Sequence, residues 1–198
     1  MEAATLTPHE VAELSGVPKR IVEKAIEEGV LRVRVHARHG ITRHARRLLP
    51  IHTVAYASVL RRLDLKLTAA HKRTLASKLA QLRPRKIRTA RVELAPAVEI
   101  NVGRLVGDAV DQAERYRVSR DASIVIDEEI KGGNTRYSRD TYDRLFCSRG
   151  RVEHGETIDD ILADNPDLSR EAVETAAIYA RTHPLMGRPG GRPWVAAA

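Results

Sequence analysis

The 198-residue chain is 42% hydrophobic but only 4% aromatic, has a formal charge of +8 and contains a single cysteine. Its cores must be built from Leu, Val, Ile and Ala, which suits small helical domains and argues against a sandwich or barrel. Cys147 alone excludes an internal disulfide or a multi-cysteine metal site. No apolar run approaches the ~18 residues of a membrane helix, and the N-terminus lacks a signal pattern. The reading is a cytoplasmic protein with no membrane partner.

The charge is unevenly spread. Residues 1–91 hold 20 Lys and Arg against 7 Asp and Glu, whereas residues 92–198 hold 14 against 19. Between Arg32 and Arg91 the one acidic residue is Asp64. A polyanion is therefore the expected partner of the first half, and a different partner that of the second.

In chain order, Thr7-Pro8-His9-Glu10 is a capping box with proline at the first helical position. The helix it starts is short and ends at Ser15-Gly16. Pro18 opens a second helix whose apolar face is Val17, Ile21, Val22, Ala25 and Ile26, with Gly29 as its stop. Two short helices joined by a glycine turn, the second starting Lys19-Arg20, form a helix-turn-helix pattern. Val30, Val33 and Val35, interleaved with Arg32 and Arg34, predict a strand, and His39-Gly40 a turn. A second extended piece ends at Leu48-Leu49-Pro50. A basic hairpin placed there reads as a wing.

Residues 51–63 and 68–83 then read as helices, and Arg83-Pro84-Arg85-Lys86 as a short basic linker. Beyond it, 90–102 suggests extended structure, Gly103 to Tyr116 a helix, and Ala122 to Ile126 a strand. Gly132-Gly133 marks a loop, and residues 141–147 a helix that takes Cys147 into a small core. Thr157 to Asp164 and Ser169 to about Arg181 form a last helix pair, with Ile158, Ile161, Leu162, Leu168, Val173, Ala176, Ala177 and Tyr179 as its core. Its surface is acidic (Asp159, Asp160, Asp164, Asp167, Glu171, Glu174), which repels DNA and suits protein contact. The Pro- and Gly-rich end, HPLMGRPGGRPW, is expected to be irregular.

Lys19, Arg20 and Lys24 on the second helix, with Arg34, Arg38, Arg43, Arg46 and Arg47 on the wing, are the candidate DNA contacts. Cations there neutralise phosphates, and side chains near the helix start reach base edges. There is no Walker-type glycine loop, HExxH or GxSxG, so no enzyme, metal or cofactor is expected. Of the eight histidines, five lie in the basic stretch and read as phosphate contacts or surface.

The C-terminal third resembles the bacterial family catalogued as domain of unknown function 433. The resemblance rests on Ile130, Gly132, Gly133, Thr135 and Arg136, then Gly155, Thr157, Ile161, Leu162, Pro166 and Leu168, then Ala176, Tyr179 and Ala180, in that order. It implies an antitoxin of the VapB type, partnered with a PIN-like ribonuclease toxin, and longer members place a helix-turn-helix ahead of the domain. This chain departs from the pattern in a longer stretch between Arg136 and Gly155, which bears on partner choice. PIN-type nucleases hold a divalent metal with carboxylates, and an antitoxin arginine can pair with these. The resemblance thus implies toxin contacts by Arg188 and Arg192 beside Trp194, with Arg136 as the alternative.

The expectation is a mainly α fold with minor β. It has a winged helix-turn-helix over 1–84, a connecting segment over 85–117 and a small helical antitoxin-like domain over 118–198. The implied function is to neutralise a ribonuclease toxin and bind the shared operator DNA as a homodimer. The alternative is a stand-alone transcription regulator whose C-terminal domain dimerises.

Overall fold

Helix initiation follows local capping chemistry. The Thr7 hydroxyl accepts the Glu10 amide at 3.2 Å while the Glu10 carboxylate accepts the Thr7 amide at 2.6 Å, and helix α1 (Pro8–Ser15) begins there. It stops at Gly16, whose φ of 66° is left-handed and favours a residue without Cβ. Helix α2 (Lys19–Glu27) starts after Pro18. The computed structural model describes residues 5–36, 46–63, 66–126, 135–137, 156–166 and 168–183.

Past α2 the amides of Val30 and Leu31 both donate to the Ala25 carbonyl, and the two side chains are buried. The strand expected from Val30 therefore begins only once those amides are spent: β1 is Arg34–His36, paired antiparallel with β2, Arg46–Leu48. Leu49 exchanges backbone hydrogen bonds with Leu6, tying the segment before α1 to the base of this pair. The predicted turn at His39-Gly40 lies outside the described residues.

Helices α3 (His52–Arg62) and α4 (Ala69–Ala80) match the sequence expectation to within a few residues, and the Thr68 hydroxyl caps α4 by accepting the His71 amide. Arg83 to Lys86 is not an extended linker: Pro84 at the first position opens a one-turn helix α5 (Pro84–Ile87) that buries Ile87 completely. The expected extended stretch is a hairpin of β3 (Arg91–Ala95) and β4 (Val98–Asn101). Val92 opposite Ile100 faces inward, and Glu93 opposite Glu99 faces out. Asn101 then accepts the Arg104 amide at 3.1 Å and starts α6 (Val102–Ser123). The helix predicted to end at Tyr116 runs two turns further. After it β5 (Ile124–Ile126) pairs with β6 (Thr135–Tyr137), and α7 (Ile158–Asp164) and α8 (Arg170–Thr182) follow their caps Thr157 and Ser169.

The described chain is mainly helical, with three two-stranded antiparallel pairs. α3 lies along α6, α1 packs on α2 and α3, and α8 packs on α6 and α1. One core runs from Leu6 through Tyr56 and Leu75 to Tyr116, and takes in Ile178 and Tyr179 of α8. Residues 85–117, expected as a connector, lie at its centre through Ile87, Val102, Val106, Val110, Ala113 and Tyr116. Burial of each larger aliphatic side chain stabilises by roughly 1.5–3 kcal/mol, so this segment is part of what holds the first helices in place. The smaller expected C-terminal core exists around Ile161, Val173 and Ala176, with Ile158, Leu162 and Leu168 partly buried against it. Tyr179, assigned there from sequence, belongs to the large core instead.

Candidate nucleic-acid interface

The α1–α2 pair is fixed from behind. Val17 in the turn and Val22 and Ala25 of α2 are buried, and the Arg61 guanidinium of α3 donates to the Ser15 carbonyl at 3.5 Å beneath Gly16. This leaves Lys19, Arg20 and Lys24 exposed on α2. Ile21, counted in the apolar face from its spacing, is 41% exposed beside them, because Val22, Ala25 and Ile26 already fill the inward arc. Carboxylates interrupt the cations: Lys19 pairs with Glu23 at 3.1 Å and Lys24 with Glu28 at 3.7 Å. Among the described residues Arg20 is the α2 cation without a carboxylate partner. The cation left unpaired therefore lies at the start of the helix, whereas Lys24 in the last turn is accompanied by Glu27 and by Glu28 just past the helix end.

The adjoining β1–β2 pair carries exposed Arg34 and Arg47. Arg34 registers with Leu48 and Arg47 with Val35. Adjacent register positions alternate in facing, so Arg34 and Arg47 lie on opposite faces of the hairpin and one flat polyanion surface meets only one of them directly. Arg46 occupies the position opposite His36. The other predicted contacts Arg38 and Arg43 lie outside the described residues. The same holds for Arg188, Arg192, Trp194, Gly132-Gly133 and the predicted 141–147 helix. Arg136 is placed by its backbone in β6, opposite Val125.

The orientation of α1 depends on a buried polar cluster that sequence reading missed. The Glu10 side chain is fully buried; its Oε1 accepts from the Arg120 guanidinium at 2.7 Å and from the Tyr116 hydroxyl at 2.6 Å. Arg120 also pairs with Asp121 at 2.7 Å and sits over the Tyr116 ring at 5.6 Å. Burial pushes the Glu10 carboxyl up, yet the Arg120 charge, the Thr7 amide and the Tyr116 hydroxyl outweigh it and hold the group below its ordinary value. Burial and the Glu10 charge raise Tyr116. Burial alone lowers Arg120, but Glu10 and Asp121 more than reverse this. All three keep their ordinary neutral-pH protonation states. The capping box gave Glu10 a role in sequence; a partner 110 positions away left no local signal.

A second set of contacts ties α8 to α1. Arg181 pairs with Glu13 at 2.6 Å, and the Thr182 carbonyl lies 3.1 Å from His9 Nδ1; within the end of α8 itself, Tyr179 stacks on His183 at 4.0 Å. At the outer end of the C-terminal pair, Asp159 pairs with Arg170, and Asp160, Asp164, Glu171 and Glu174 are exposed. Asp167 lies outside the described residues.

Comparison with protein-family models, curated proteins and solved structures finds no match for this chain. Among the described residues no helix is long and apolar enough to cross a membrane, and no three His, Cys, Asp or Glu side chains gather as a metal site.

Proposed function

We propose that the chain is a DNA-binding regulator of winged helix-turn-helix type, with α2 as the recognition helix and β1–β2 as the wing. On the resemblance of its C-terminal third, it is the antitoxin of a PIN-like ribonuclease toxin. The observation that carries the first part is the exposed, cationic start of α2, held on a left-handed glycine turn and followed in the chain by a basic two-stranded hairpin. Lys19 and Arg20 at a helix start suit phosphate and base-edge contact, and exposed Ile21 suits a thymine methyl group. An operator with two half-sites would be met by a homodimer.

Selection of the full chain against a random-duplex library tests this. A recovered motif whose binding weakens with salt and with Arg20→Ala supports the reading; recovery of no motif removes it. The toxin part is tested by co-expression with a neighbouring gene that encodes a PIN-like protein. Co-purification and relief of its ribonuclease activity are the expected results. A chain ending at residue 182 that still neutralises fully would exonerate Arg188, Arg192 and Trp194.

One observation favours the alternative, a stand-alone regulator. Ile178 and Tyr179 of α8 are buried in the same core as α1, so this helix is part of the DNA-binding body and not a free arm. In that case the co-expressed partner is not captured while operator binding persists.

A further inference from the structure

A cleft of about 470 Å³ opens where the end of α3 and the start of α4 meet the β3–β4 hairpin and the first turn of α6. Its volume falls within the range of small-ligand sites. Leu94 and Ile100 line it as buried residues, and Leu63, Leu67 and Leu105 as half-buried ones, with Val98 45% exposed. An apolar hollow so lined, left open to water, gains from any aliphatic group that fills it. Lys66 and Arg104 are exposed at the same cleft, and His71 lines it too. Among the described residues neither Lys66 nor Arg104 has a carboxylate partner. The acid in the lining, Glu99, is already paired with Arg91 at 3.4 Å. The polar rim is thus cationic over an aliphatic interior, and apart from the His71 imidazole no aromatic side chain offers a stacking face.

We propose that this cleft binds a medium-chain aliphatic carboxylate, its tail on Leu94 and Ile100 and its head between Lys66 and Arg104. A nucleic acid does not fit the aliphatic floor, and a neutral alcohol leaves both cations unused. The site lies away from α2 and stands whether or not the chain binds DNA.

The full chain is titrated with decanoate and with decan-1-ol, following calorimetric heat and melting temperature. Expected are one saturable decanoate site, a raised melting temperature, and at least about fivefold weaker binding of decanol, since charge-assisted contacts to the head group are lost. Lys66→Ala and Arg104→Ala, both at exposed positions, should each weaken decanoate several-fold and leave decanol unchanged. Val98→Trp, which fills the cleft, should weaken both. Absence of saturable decanoate binding overturns the proposal, as does equal affinity for acid and alcohol in the unaltered protein. Unchanged decanoate affinity in a folded Lys66→Ala, Arg104→Ala double variant overturns it as well.

Discussion

Two glycines four residues apart on α6 have opposite surroundings. A Cβ built on Gly103 would lie 1.9 Å from the Arg88 carbonyl oxygen and 2.9 Å from the Thr89 nitrogen, both backbone atoms that cannot step aside. A Cβ on Gly107 meets nothing within 4 Å. Gly103→Ala should therefore destabilise by about 3 kcal/mol or more through forced separation of α5 and α6. Gly107→Ala should stabilise by about 0.5–1 kcal/mol through helix propensity. Urea unfolding of the two variants checks both signs.

At Glu10 the question is pH. A carboxyl held below its ordinary value of 4.5 in the folded chain contributes stability that is fully present above that pH. That contribution is lost as pH falls through the lower folded value. Unfolding free energy of the wild type should thus drop more steeply below pH 4.5 than that of Glu10→Gln. At pH 7 the substitution should cost about 3 kcal/mol, the low end for breaking a buried pair, because Arg120 keeps Asp121. A double-mutant cycle with Arg120→Met should return a coupling of about 1–3 kcal/mol, and additivity would show that the two groups do not depend on each other.

Single elements were largely legible, since their signals are local. Thr7, Thr68, Thr157 and Ser169 each accept an amide three residues on, and each marks a helix start within reach of sequence reading. Ends were harder. Nothing local stops α6 at Tyr116, and its last turns are held by Arg120 reaching Glu10 across the core. On α2 the interleaved acids make a charge argument that the plain count of cations hides. Under the DNA-binding proposal, Glu23→Gln frees Lys19 and should raise duplex affinity at low salt, with a steeper salt dependence. Arg20→Ala should lower the slope of log affinity against log salt by about one, and salt-titrated fluorescence anisotropy measures both.

Across the described residues, packing crosses the boundaries expected at residues 84 and 117, while the smaller core of Ile161, Val173 and Ala176 stays separate. The first helices, the hairpin of β3 and β4, α6 and the end of α8 share apolar neighbours. Tyr179→Ala should accordingly destabilise the chain by about 3–5 kcal/mol and lower the transition that reports on α1 and α2. Calorimetry showing an undisturbed N-terminal transition would sink the shared-core account.

Composition and short-range spacing were enough to read the helical class, the capped helix starts, the glycine turn and the basic leading half. These depend on groups within one or two turns of each other. Folding added the pairing of Glu10 with Arg120, the hold of Arg181 on Glu13, the place of Tyr179 in the large core and the cleft between α3 and α6. Each joins residues tens of positions apart, and burial, not sequence spacing, chooses such partners: a single chain of letters carries no distance between them.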